Sequence, residues 1–217
     1  MPNSLPVDQP DFPDVEYARG DGLLATGGDL SAERLLAAYR LGIFPWYDTP
    51  PILWWFPDPR FVLVPEELHI SGTMKRFLKK SPFSYTVNTA FSEVMRRCGN
   101  AERKGQSGTW IHEPMIRAYT TLHRLGYAVS VEAWRENELV GGLYGVRLGK
   151  VFFGESMFAL QTNASKAAFI HYVGILVTEG VELIDCQVYT DHLASLGARL
   201  IPASAFTMLL GSLIPGK

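Results

Sequence analysis

The spacing of apolar positions changes along the chain, and each change predicts an element. Alternating or continuous apolar runs predict strands at residues 61–64, 85–87, 128–134, 138–146, 151–157 and 181–188. The strands at 138–146 and 151–157 form a hairpin around Arg147-Leu148-Gly149-Lys150. Helical spacing predicts a helix capped by Ser31, with Leu30 and Leu35 as a staple and Gly42 as its stop. Further helices are expected at 69–80, from Asn88 as cap to about Cys98, and from Pro114 to Leu125. The last three are expected at 163–178, 191–196 and 203–213.

Two stretches break these patterns. Residues 1–20 read as irregular. Residues 43–60 are dense in Pro and Trp, which excludes a helix and a central strand and presents the aromatics from extended or turning backbone. Residues 1–60 therefore read as a small N-terminal domain and 61–217 as a larger one. A β-β-α-β run at its centre indicates a mixed sheet flanked by helices, an α+β arrangement.

Composition narrows the class. Twenty Lys and Arg against 22 Asp and Glu give a net charge of −2, so wholesale coating of nucleic acid is excluded while a local basic face is not. Cys98 and Cys186 are the only cysteines, too few for a disulfide framework or a paired metal site. The five histidines show no ligand spacing, so no metal is expected. The first residues lack the apolar core of a signal peptide, and no apolar run reaches bilayer length. A cytoplasmic protein, away from membranes, is expected.

Candidate chemistry concentrates at the ends of two apolar strands, in Phe152-Phe153-Gly154-Glu155-Ser156-Met157 and Leu183-Ile184-Asp185-Cys186-Gln187. Period two puts Asp185 and Gln187 on one strand face and Cys186 on the other. Acids in such apolar company mark either a built pocket or a structural hydrogen-bond cluster, because a lone buried carboxylate is costly.

The motifs then identify a family. Gly22-Leu23-Leu24-Ala25-Thr26-Gly27-Gly28-Asp29-Leu30, Gly42-Ile43-Phe44-Pro45-Trp46, Trp54-Trp55-Phe56-Pro57-Asp58-Pro59-Arg60, Gly154-Glu155-Ser156-Met157-Phe158, Asn163-Ala164-Ser165-Lys166 and Ile184-Asp185-Cys186-Gln187 follow one another in order. In this the chain resembles the bacterial leucyl/phenylalanyl-tRNA–protein transferases. The resemblance implies a small α/β N-terminal domain and an N-acetyltransferase-like catalytic domain. It implies transfer of Leu or Phe, and Met less well, from charged tRNA to the N-terminus of proteins that begin with Arg or Lys. The product is then expected to enter an N-terminal-residue-dependent degradation pathway. No cofactor is expected, since the ester already carries the activation, and a monomer is expected.

What the reaction asks of particular residues follows from that. Asp185, Gln187 and Glu155 are the catalytic candidates. A cationic acceptor needs carboxylate from Glu155 or Asp185, and Gln187 suits orientation of the amine, polarised by Asp185, better than proton abstraction. The resemblance places Leu143, Phe152, Met157, Tyr172 and Leu176, with Tyr119 nearby, around the aminoacyl side chain. The family often has Met at the position of Leu143 and Phe at those of Tyr172 and Leu176. Core packing is the competing reading for each. Trp46 and Trp110 are the candidates for stacking on the terminal adenosine, and Lys75, Arg76, Lys79 and Lys80 for the tRNA backbone, against the alternative of a solvated face. An acyl-CoA transferase is disfavoured because the turn before the central helix, Gln161-Thr162-Asn163-Ala164-Ser165-Lys166, has no glycine. A peptidoglycan-bridge transferase and a non-enzymatic receptor for basic N-termini are the other rivals.

Overall fold

The computed structural model describes residues 3–7, 9–80, 82–101 and 111–216. The chain opens with strand β1, Asn3–Leu5, then β2, Leu23–Gly27, helix α1, Ala32–Arg40, and strands β3, Phe44–Pro45, and β4, Leu53–Trp55. They form a four-stranded sheet in the order β1-β2-β4-β3. The Ser31 hydroxyl accepts from the Arg34 amide, as expected of an N-cap.

Two expectations fail in this region. Residues 1–20 are not wholly irregular, because β1 pairs parallel with β2, Asn3 opposite Ala25. That pairing is distant in sequence and leaves no local pattern. The Pro- and Trp-rich stretch does supply an interior strand, β4. Its prolines flank Leu53–Trp55 rather than occupy it, while Pro45 lies on edge strand β3, where a missing N–H is tolerated.

The second sheet is larger. Its elements are β5, Arg60–Leu63; α2, Gly72–Lys79; β6, Ser84–Val87; α3, Phe91–Gly99; α4, Glu113–Arg124; β7, Ala128–Arg135; β8, Glu138–Leu148; β9, Val151–Ala159; α5, Ala164–Thr178; β10, Leu183–Gln187; α6, Asp191–Ala194; β11, Arg199–Ile201; and α7, Ala203–Leu213. The order is β11-β5-β10-β9-β8-β7-β6, antiparallel except where β9 and β10 run parallel. Strand β11 lacks a counterpart in the sequence pattern, and Asn88 does not cap α3. Asn88 instead adopts a φ of +61° and accepts from the Ser130 amide. The α3 terminus is closed by buried Glu132, which accepts from the Thr89 and Ala90 amides.

Strand alternation divides the interior. Leu143, Phe152, Ile184 and Leu63 face a core shared with α5, while Tyr144, Phe153, Leu183 and Val62 face one shared with α1, α3, α4, α7 and the small sheet. Helix α5 is buried against its sheet so closely that a Cβ at Gly141 would sit 2.5 Å from that of Ala164. The molecule is therefore a mixed α+β protein with two sheets flanked by helices, the class expected. Among the described residues, no helix is long and apolar enough to cross a membrane.

Candidate active site

The parallel ladder between β9 and β10 ends where Asp185 lies opposite Phe153. Strand β9 continues to Ala159 on its β8 side, while the β10 register slips between Asp185 and Gln187 and pairs Gln187 with Phe61. Gln187 carries a φ of +63°, a conformation that L residues adopt at a cost. The two strands part there, and a cavity of about 470 Å³ opens between them.

A chain of polar contacts runs along its edge. Arg60 holds Asp185 bidentately, Nε to Oδ1 at 2.8 Å and Nη2 to Oδ2 at 2.6 Å, with both side chains buried. The guanidinium also lies over the rings of Phe206 at 4.6 Å and Phe44 at 5.0 Å. Asp185 Oδ1 accepts from the Gln187 backbone amide at 2.9 Å. The Gln187 side-chain Nε2 donates to Glu155 Oε1 at 2.8 Å. Tyr119 donates its hydroxyl to Glu155 Oε2 at 3.2 Å, and the Tyr39 and Tyr119 hydroxyls are hydrogen-bonded to each other.

These surroundings change the acid. Burial pushes the Glu155 carboxyl up to about 7, and the Asp185 charge adds to it, while hydrogen bonds from Tyr39, Tyr119 and Gln187 pull it back. Burial first, then the Glu155 charge, holds both tyrosines well above the usual phenol range, so they remain donors. A carboxyl that is half-ionised near neutrality, beside an amide oriented by a strained strand end, is equipped to hold or exchange a proton with an amine.

The sequence candidates sort unevenly. Asp185, Gln187 and Glu155 are brought together, but Asp185 grips the Gln187 backbone rather than its side-chain amide, because the bulge breaks the expected alternation. With Arg60 already on it, Asp185 carries no spare charge for a cationic acceptor, which leaves Glu155. Leu143, Phe152 and Met157 line the cavity. Tyr172 stands behind Phe152, edge to face at 5.1 Å, Leu176 is fully buried, and Tyr119 sits behind Glu155, so none of the three is among the lining residues. Phe44, Phe169, Ile184 and Cys186 add to the apolar wall, and none was a pocket candidate in the sequence. Trp46 is at the cavity, tilted against Trp55 with ring centres 6.1 Å apart. Trp54 is wholly buried and donates to the Gly27 carbonyl, a structural role. Trp110 lies outside the described residues. Lys75, Arg76, Lys79 and Lys80 are all exposed on α2 or its C-cap. Arg60 entered the sequence reading only as the last residue of the motif that starts at Trp54, with no role assigned to it.

Comparison with known proteins bears on the same residues. The family described as leucyl/phenylalanyl-tRNA protein transferase matches residues 62–211, and its N-terminal domain matches residues 28–58. A leucyl/phenylalanyl-tRNA–protein transferase of Syntrophobacter fumaroxidans is 58% identical over 205 residues, 94% of this chain and 88% of the relative. The protein of that name from Nitrosomonas europaea is 54% identical over 222 residues, 100% of this chain and 93% of the relative. One from Anaeromyxobacter sp. strain Fw109-5 is 57% identical, covering 92% and 86%. With matches of this length across both sheets, the chain belongs to the leucyl/phenylalanyl-tRNA protein transferase family and is an aminoacyltransferase.

Proposed function

We propose that this enzyme moves Leu or Phe, and Met less well, from aminoacyl-tRNA to the α-amino group of proteins whose first residue is Arg or Lys, marking them for N-terminal-residue-dependent degradation. It works as a cytoplasmic monomer. The observation that carries this reading is one cavity with an apolar wall of Leu143, Phe152 and Met157 and a polar edge of Glu155 and Gln187. The apolar wall suits branched and flat side chains alike, with Met157 adapting to either.

In this mechanism the terminal adenosine stacks on Trp46, with Trp110, and the exposed cations of α2 meet backbone phosphates. Gln187 orients the incoming amine. Glu155, ionised in about half the molecules near neutral pH, accepts a proton from the acceptor ammonium, whose own pKa is about 7.7–8.0. The nitrogen attacks the ester carbonyl, a C–N bond forms, the C–O bond to the ribose breaks, and the leaving ribose oxygen takes up the proton that the attacking nitrogen sheds. Positioning supplies much of the rate, so no ATP or second cofactor enters. Asp185, locked by Arg60, holds the bulge that aims Gln187.

The test is transfer from radiolabelled Phe-tRNA to two peptides differing only in an N-terminal Arg or Ala, without ATP or CoA. Label on the Arg peptide alone is expected. Label on both peptides would remove the acceptor rule. Label on neither while tRNA still binds would move the search for an acceptor to cell-wall precursors.

A further inference from the structure

Beside the active-site cavity lies a second, open groove of about 730 Å³, formed by the C-terminal half of α3, the last residues of β9 and the start of α5. Met157 and Ser165 belong to the walls of both, so the groove continues the cavity. Its α3 wall presents Arg96, Arg97 and Asn100, and Glu93 is the single acid among its lining residues. Nothing in the transfer chemistry above uses it.

Two properties restrict what it can hold. Two arginines against one acid leave an excess positive charge. Among the described residues, both are bound only by exposed pairs to the same Glu93, Arg97 at 2.8 Å and Arg96 at a loose 3.7 Å, with side chains 43% and 56% exposed. Exposed pairs of this kind contribute little, so an incoming anion displaces them readily. The floor is apolar at the far end, where Leu160 is 60% exposed. A cationic wall on α3 facing an apolar wall at the end of β9 suits single-stranded nucleic acid, whose phosphates and base faces lie on opposite sides of the strand.

We propose that this groove carries the unpaired nucleotides preceding the terminal adenosine of the donor tRNA, with Arg96 and Arg97 on their phosphates. The proposal rests on aminoacyl-tRNA being the donor. It gives α3 a role separate from the basic face of α2.

The test compares Arg96→Ala/Arg97→Ala with the unaltered enzyme on two donors, Phe-tRNA and phenylalanyl-adenosine, the latter lacking every upstream nucleotide. Direct binding of tRNA is measured alongside, so the groove is judged even if transfer itself fails. The expected result is weaker binding of Phe-tRNA, about tenfold, with the slope of log affinity against log salt reduced by about 1–2. Use of phenylalanyl-adenosine is expected to be retained, which also certifies the fold. Unchanged tRNA affinity and salt slope would overturn the proposal. So would a raised KM for the Arg peptide with tRNA binding intact, which would assign the groove to the acceptor polypeptide.

Discussion

Arg60 and Asp185, 125 residues apart in sequence, meet as a fully buried bidentate pair at the point where β10 leaves its parallel neighbour. Removing one partner leaves an uncompensated charge in the interior, which costs about 3–5 kcal/mol. Asp185→Asn and Arg60→Met are each expected to lower stability by that order in urea unfolding. The double variant Arg60→Met/Asp185→Leu is expected to recover most of the stability and none of the transfer rate. Recovery of both would mean that the pair serves the fold alone.

Glu155 makes stability depend on pH. Its folded-state pKa of about 7 stands above the ordinary 4.5, so the folded chain holds the proton more tightly than the unfolded one. The stabilising contribution is therefore complete below about pH 4.5 and is lost as pH rises through about 7. Glu155→Gln, neutral throughout, is expected to gain stability relative to the unaltered protein across that window. Urea midpoints at several pH values check it, and parallel curves would count against a raised pKa.

Tyr119 lends Glu155 a hydrogen bond that favours the ionised form. In Tyr119→Phe the carboxyl is expected to titrate at higher pH still, and the alkaline rise in transfer rate moves with it. The pH–rate profile of the variant decides, since a purely structural loss would lower the rate without moving its midpoint.

Gln187 separates backbone from side chain. Its φ of +63° is one that glycine adopts freely. Gln187→Gly is expected to keep or slightly raise stability, by up to about 1 kcal/mol, while transfer falls at least tenfold with loss of the amide. A variant that transfers normally would show that the amide plays no part.

The apolar wall sets the ratio of guests. Leu143→Ala enlarges the cavity beside Phe152 and Met157. It is expected to shift kcat/KM toward Phe-tRNA over Leu-tRNA by about 1–3 kcal/mol, the scale of small apolar differences. Paired assays with the two charged tRNAs measure the shift.

Elements that carry their own periodicity were legible in the sequence. Helix α7 occupies the expected 203–213, and the hairpin of β8 and β9 falls where the Gly149 turn placed it. Short strands such as β1 and β11, three residues each, exist only through partners elsewhere in the chain and so left no trace. The grouping of Asp185, Gln187 and Glu155 at one cavity was readable because acids amid apolar strands are conspicuous. Its wiring was not, because one positive φ at Gln187 turns the following side chains off the alternating pattern. Tyr172 and Leu176 looked like pocket residues on helix α5, yet Phe152 stands in front of Tyr172 and Leu176 is buried in the core.

The hydroxyls that surround Glu155 come from distant parts of the chain, Tyr39 from α1 beside the small sheet and Tyr119 from α4, while the acid itself lies on β9. Glu155 therefore keeps this environment only while α1, α4 and β9 are packed together, and loss of that packing would return its carboxyl toward the ordinary range.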